Sequence, residues 1–125
     1  ISIPMKKKVV IIDDKPAIGQ LLSLYLNSEY DFQCFDNALT AYNWLGEGKH
    51  ADLLISDYTM PEINGYDFLL MLKQNELLKD IPVMFLSGED KSSLRIQLLE
   101  AGAEDFVLKP FNPLELKLRI KKILK

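Results

Sequence analysis

Hydrophobic positions along the chain follow two rhythms that take turns. Lys7 to Ile12 is a short β-branched run ending at two acids, and comparable runs cover Phe32 to Phe35, Asp52 to Ser56, Ile81 to Leu86 and Glu104 to Leu108. Unbroken apolar runs of this length suit strands buried on both faces. Between them the spacing turns helical: Ile18, Leu22, Tyr25 and Leu26; Ala38, Tyr42 and Leu45; Tyr66, Leu69, Leu70 and Lys73; Leu94, Leu98 and Ala101; Leu116, Ile120, Ile123 and Leu124. Gly46 and Gly102 stand just past two of these patterns, where a left-handed residue commonly ends a helix, and Asp36 and Asn112 stand where caps belong. Five strands alternating with five helices predict an α/β fold, a three-layer (βα)5 sandwich with a parallel sheet and right-handed crossovers. In such sheets the ligand site lies beyond the carboxyl ends of the strands, near the point where strand order reverses.

Composition narrows the picture. The 125 residues suit one domain. It is expected over residues 5–125, with Ile1-Ser2-Ile3-Pro4 a tag or processing remnant. Fifteen basic and 18 acidic residues give a net charge of -3 with no basic stripe, which argues against direct nucleic-acid binding. The terminal Lys121, Lys122 and Lys125 suit the carboxyl end of a helix dipole. Cys34 is the one cysteine and His50 the one histidine, so neither a disulfide framework nor a Cys/His zinc site can be assembled. No apolar run approaches the roughly 18 residues of a membrane span, and no signal peptide opens the chain. A cytoplasmic protein without membrane contact is the expectation.

The predicted strand ends carry the chemistry: Asp13 and Asp14 after the first, Asp57 after the third, Ser87 after the fourth, Lys109 after the fifth. Each has a plain alternative. Asp13 and Asp14 could form a turn before the helix that Pro16 opens, Asp57 and Ser87 could be loop residues, and Lys109 a solvated charge. Together they fall on one edge of the sheet. Three carboxylates converging there repel one another unless a hard cation such as Mg²⁺ shares the site.

The motifs VVIIDDK, LLISDYTMPEINGYDFL, VMFLSGED and EAGAEDFVLKPFNPLEL, in that order, resemble the receiver domain of bacterial response regulators, from about Met5 to the end. CheY-like proteins share this architecture, and the resemblance implies the strand order 2-1-3-4-5. It implies that Asp57 takes a phosphoryl group from a sensor histidine kinase, a phosphotransfer protein or a small donor such as acetyl phosphate. An ionised carboxylate can attack in line without a base, which makes the step chemically sound. The resemblance places Asp14, Asp57 and the backbone carbonyl of Thr59 on Mg²⁺, or Mn²⁺, with Asp13 helping directly or through water. Lys109 and Ser87 would bind phosphoryl oxygens, Phe106 would be the aromatic switch, and the Lys109-Pro110 bond would be cis. Phe106 by its strand position alone reads as core, and Phe in place of the commoner Tyr removes a hydroxyl. Thr59 and Glu89 match positions that tune dephosphorylation.

Phosphorylation is then expected to shift the fourth helix, fifth strand and fifth helix toward an output domain or partner protein, without dedicated enzymatic turnover. On that face Lys91, Arg95, Glu100, Asp105, Glu115 and Arg119 partly resemble the charges through which OmpR-type regulators homodimerise when phosphorylated, although an ordinary solvated face reads the same way. A phosphohydrolase of the haloacid dehalogenase type also uses an aspartyl nucleophile, Mg²⁺ and a lysine. It shows Asp-x-Asp after its first strand, whereas here the aspartate follows the third and Thr59 fills the second place. A flavodoxin-like nucleotide binder lacks support for want of a glycine-rich phosphate loop, and a pure interaction module would not need the intact acids.

Overall fold

The computed structural model describes residues 6–26 and 28–125, so the expected remnant at residues 1–4 lies outside the described residues. The elements in chain order are β1 (Lys7–Ile12), α1 (Pro16–Leu26), β2 (Tyr30–Phe35), α2 (Ala38–Gly46), β3 (Leu53–Asp57), α3 (Gly65–Lys73), β4 (Val83–Ser87), α4 (Ser92–Glu100), β5 (Asp105–Leu108) and α5 (Pro113–Ile123). The five strands form one parallel sheet in the order β2-β1-β3-β4-β5. Strand order therefore reverses between β1 and β3, and the crevice at their carboxyl ends is the place a ligand site is expected.

Alternation along the strands explains why their apolar runs are unbroken. Val9 and Ile11 of β1, with Leu53 and Ile55 of β3, pack against Leu22 and Leu26 of α1 and Leu116 and Ile120 of α5. Val10, Ile12 and Leu54 point the other way, toward Leu45 of α2, Phe68, Leu69 and Leu72 of α3, and Leu94 and Leu98 of α4. The core residues of the central strands thus alternate between two helical layers, and β3 and β4 are buried throughout. The three-layer sandwich follows.

Two helix-end expectations need correction. Asn37, not Asp36, caps α2: its Oδ1 accepts the Thr40 N–H at 2.8 Å, while Asp36 Oδ1 is occupied by the Asn37 side-chain amide at 2.9 Å. Gly46 is the last helical residue of α2, and the left-handed turn comes two residues later at Gly48, with φ of 90°. Gly102 (φ 108°) and the Asn112 cap on Leu114 N–H stand where expected.

Polar clips hold the end of the sheet away from the crevice. Asp52 receives the Lys8 N–H on Oδ2 at 2.7 Å and the His50 ring Nε2 lies 2.7 Å from its Oδ1, just where β1 and β3 begin to pair. Burial by itself would raise this carboxyl, but the Lys8 N–H and the His50 ring outweigh it and hold the group below the usual carboxylate range. Glu29, in the turn between α1 and β2, is likewise lowered by the Lys121 and Lys117 ammoniums of α5, each 3.2 Å away.

Because the folded carboxyl of Asp52 ionises below its unfolded value, its contribution is complete above roughly pH 4 and fades as pH falls through the folded value. Asp52→Ala is expected to cost about 1–2 kcal/mol in urea unfolding at pH 7, for the loss of a hydrogen bond made by a charged group. The gap to wild type should narrow as the pH is lowered toward 3. A second test concerns packing under the loop after β3, where an added Cβ at Gly65 would lie 2.7 Å from Tyr58 Cδ1 and 2.8 Å from Phe85 Cε1. Gly65→Ala should destabilise by about 1–3 kcal/mol in the same assay, as overpacking does.

Candidate functional site

Three chain segments converge in the crevice because each leaves its strand in a fixed way. Asp13 continues β1, its N–H donating to Phe35 O of β2 at 3.0 Å, and its Oδ1 accepts the Lys15 N–H at 2.8 Å in a turn that leads into Pro16. Asp57 ends β3, after which Tyr58 N–H donates to Leu86 O at 2.8 Å and Tyr58 O accepts the Gly65 N–H at 2.9 Å. Glu62, with φ of 73°, sits under an Ile63 N–H to Pro61 O bond of 2.8 Å, a strained three-residue turn that brings this loop back to Gly65. Lys109 follows β5 and joins it to β4 through its N–H on Ser87 O at 2.7 Å, and the next peptide bond, Lys109-Pro110, is cis.

This scaffold brings ligand oxygens of Asp13, Asp14 and Asp57 within 4.8 Å of one another. Asp13 and Asp57 are buried and Asp14 is exposed. Lys109 Nζ stands 3.1 Å from Asp57 Oδ1 and 3.5 Å from Asp13 Oδ2. One ammonium therefore serves two buried carboxylates, leaving the cluster with surplus negative charge. Burial pushes the Asp13 carboxyl up, against the pull of the Lys15 N–H and Lys109, and the charge of Asp57 adds to the rise.

The residues fit a divalent cation. Asp13 Oδ2 is buried with no hydrogen-bond partner, an all-oxygen donor set suits Mg²⁺ or Mn²⁺, and the exposed Asp14 leaves a side open to water.

The other residues singled out in the sequence surround this cluster at different depths. Ser87, at the end of β4 and 1 % exposed, accepts the Glu89 N–H on Oγ at 3.1 Å. Glu89 itself is exposed, 3.5 Å from Lys91. Thr59 is exposed two residues past Asp57. Phe106 is buried in the core on the α2–α3–α4 side, beside the layer that contains Leu94 and Leu98. Two contributors were not legible from spacing. Tyr58 packs edge-on against Phe85, with ring centroids 6.4 Å apart, and its hydroxyl is pushed up by burial and by the charges of Glu89 and Asp67. Ser56, fully buried, sends its hydroxyl to the Asp57 carbonyl at 3.0 Å. A polar residue inside an apolar run was the only signal for it.

Comparisons with known proteins agree with this fold. A family model for the response regulator receiver domain matches residues 9–121. The two-component response regulator ORR5 of rice is 34 % identical over 118 residues, covering 94 % of this chain and 88 % of that protein. The phosphate regulon transcriptional regulatory protein PhoB of Pseudomonas aeruginosa is 32 % identical over 95 % of this chain, which spans only 52 % of PhoB. Among solved structures, the chemotaxis response regulator CheY4 of Vibrio cholerae superposes with a TM-score of 0.85 at 25 % identity, over 95 % of this chain and 99 % of that one. Among the described residues, no helix is long and apolar enough to cross a membrane. With a five-stranded sheet of order 2-1-3-4-5 and an acidic crevice at its switch point, the chain belongs to the response regulator receiver domain family and is a receiver of two-component signal transduction.

Proposed function

We propose that Asp57 is the residue that accepts the phosphoryl group, from a sensor histidine kinase, a phosphotransfer protein or a small phosphodonor. The observation that carries this reading is the pairing of Asp57 Oδ1 with Lys109 Nζ at 3.1 Å inside a three-carboxylate cluster. An Asp57 oxygen attacks phosphorus, the bond from phosphorus to the donor nitrogen or oxygen breaks, and its electron pair leaves with the donor. Asp14, Asp57 and the Thr59 carbonyl would hold Mg²⁺, with Asp13 bound directly or through water. When bound, the ion offsets charge on the phosphoryl oxygens.

Lys109 is already beside the attacking group and donates to a phosphoryl oxygen after transfer. The Ser87 hydroxyl has its proton to give while the Glu89 N–H occupies one of its lone pairs. Drawing Ser87 inward moves the connection from β4 to α4, and Phe106 shares a core cluster with Leu94 and Leu98 of α4, so the displacement reaches its ring. With no hydroxyl, Phe106 transmits by packing alone. Thr59 and Glu89, exposed at the rim, set how freely water reaches the acyl phosphate. On this reading the domain catalyses its own phosphorylation and dephosphorylation and has no dedicated turnover activity.

The output face is proposed to be α4, β5 and α5, acting on an output domain or a partner protein. Arg119 already donates to both carboxylate oxygens of Asp105 at 2.9 Å and to Glu115 at 3.1 Å within the chain. A homodimer that used Arg119, Asp105 or Glu115 as its cross-subunit charges would have to open or exchange those pairs. An unchanged monomer in sedimentation velocity with beryllofluoride rules the homodimer out.

The acceptor assignment is tested by labelling with acetyl phosphate and Mg²⁺. Wild type is expected to form a hydroxylamine-cleavable acyl phosphate, and Asp57→Asn or excess chelator to form none. Persistence of the same label in Asp57→Asn sinks the assignment. Asp13→Asn should weaken Mg²⁺ binding in calorimetry by about tenfold or more, since even outer-shell partners of a metal are worth that much.

A further inference from the structure

β3 buries a polar side chain that the acceptor chemistry does not use. Ser56 precedes Asp57, is 0 % exposed, and stands in register between Ile12 of β1 and Phe85 of β4, both core residues. An unpartnered hydroxyl in such a place is destabilising, so its partner matters. The Ser56 hydroxyl lies 3.0 Å from the Asp57 carbonyl oxygen and 3.6 Å from Met60 Sδ, and its one proton is shared between a strong acceptor and a weak one.

The place of these partners gives the bond its use. Pairing of β1 with β3 ends at Ile12 opposite Ser56, so Asp57 is the first residue of β3 without a β1 partner, and regular sheet gives way to loop at its peptide. Met60, also buried, closes the same short segment three residues on. One hydroxyl therefore touches both ends of Asp57-Tyr58-Thr59, the stretch that carries the proposed acceptor carboxylate and the proposed carbonyl ligand.

We propose that Ser56 is a positioning residue for phosphoryl acceptance, clipping the Asp57 and Met60 ends of this segment so that the Asp57 carboxylate and the Thr59 carbonyl share one aim. The role rests on the assignment of Asp57 and Thr59 to the acceptor and cation site. Ser56 touches no ligand itself. The Tyr58 N–H holds the Asp57-Tyr58 peptide from the β4 side through Leu86 O at 2.8 Å. Without the Ser56 hydroxyl its carbonyl side loses its hold, and the Asp57 carboxylate and Thr59 carbonyl on either side lose their common direction toward Asp13 and Asp14.

The test compares Ser56→Ala with Ser56→Thr, which keeps the hydroxyl, and urea unfolding reports separately that each is folded. Ser56→Ala is expected to weaken Mg²⁺ binding in calorimetry by about tenfold, the scale of an outer-shell contact, and to slow acyl-phosphate formation at subsaturating Mg²⁺ by a similar factor. In the metal-free protein its Tyr58 and Thr59 amides should exchange hydrogen faster than in wild type. Ser56→Thr should recover all three. If Ser56→Ala is folded and binds Mg²⁺ as wild type does, or if a folded Ser56→Thr fails to recover, the positioning role is overturned. Asp57→Asn separates the two levels: a label that persists there overturns the acceptor assignment, whereas a label lost there beside an unaffected Ser56→Ala overturns only the role of Ser56.

Discussion

Two buried carboxylates, Asp13 and Asp57, share the single ammonium of Lys109, and the fold must hold that arrangement together against its own repulsion. The geometry of the crevice depends on this imbalance. The strands that deliver Asp13 and Asp57 are neighbours in the sheet, paired from Val9 with Leu53 to Ile12 with Ser56, so their ends cannot drift apart without breaking the ladder. Lys109 arrives two strands away, and its own N–H is tied to Ser87 O at 2.7 Å, which fixes where its side chain starts. A rigid, doubly covered sheet makes such a charge cluster tolerable. The burial that raises the Asp13 carboxyl also leaves its Oδ2 without a hydrogen bond, ready for a cation.

Rigidity and responsiveness are divided between the two sides of the crevice. The segment after β3 is pinned by the Tyr58 N–H on Leu86 O, the Gly65 N–H on Tyr58 O and the Ser56 hydroxyl on Asp57 O. The connection from β4 to α4 is held more lightly. Gly88, Glu89, Asp90 and Lys91 are all exposed, and α4 is anchored in the core by Leu94 and Leu98 alone while Ile96 and Leu99 face outward. Ser87 lies at the border of the two regimes: its carbonyl is tied to β5 through the Lys109 N–H, while its buried hydroxyl accepts from Glu89 at the start of that connection. A group added at Asp57 would find one flank that resists and one that yields, which is the asymmetry a two-state switch needs.

Opposite the crevice the sheet is closed by the Asp52 clip and by Glu29 between two lysines of α5. These pairs have no part in the proposed chemistry. They tie α5 to the turn before β2 and the start of β1 to the start of β3.

The α/β class and the alternation of elements were legible in the sequence, because hydrophobic periodicity reports directly on which face of an element meets a core. So were the acids, the serine and the lysine at the strand ends, because in a parallel sheet every strand's carboxyl end lies on one edge. Helix ends were less legible: Asn37 and Gly48 replaced Asp36 and Gly46, since which of two adjacent polar residues caps a helix depends on backbone angles rather than on residue type. Only the tertiary structure decided what meets across elements. The Lys109 bond to Asp57 spans 52 residues, and the Asp52 bond to Lys8 spans 44. The pairing of Arg119 with Asp105 inside the chain is likewise a contact between α5 and β5 that spacing does not report. Ser56 looked like one polar break in an apolar run. Its meaning lies in the direction of a single O–H bond, and direction is a property of the folded chain that no sequence spacing records.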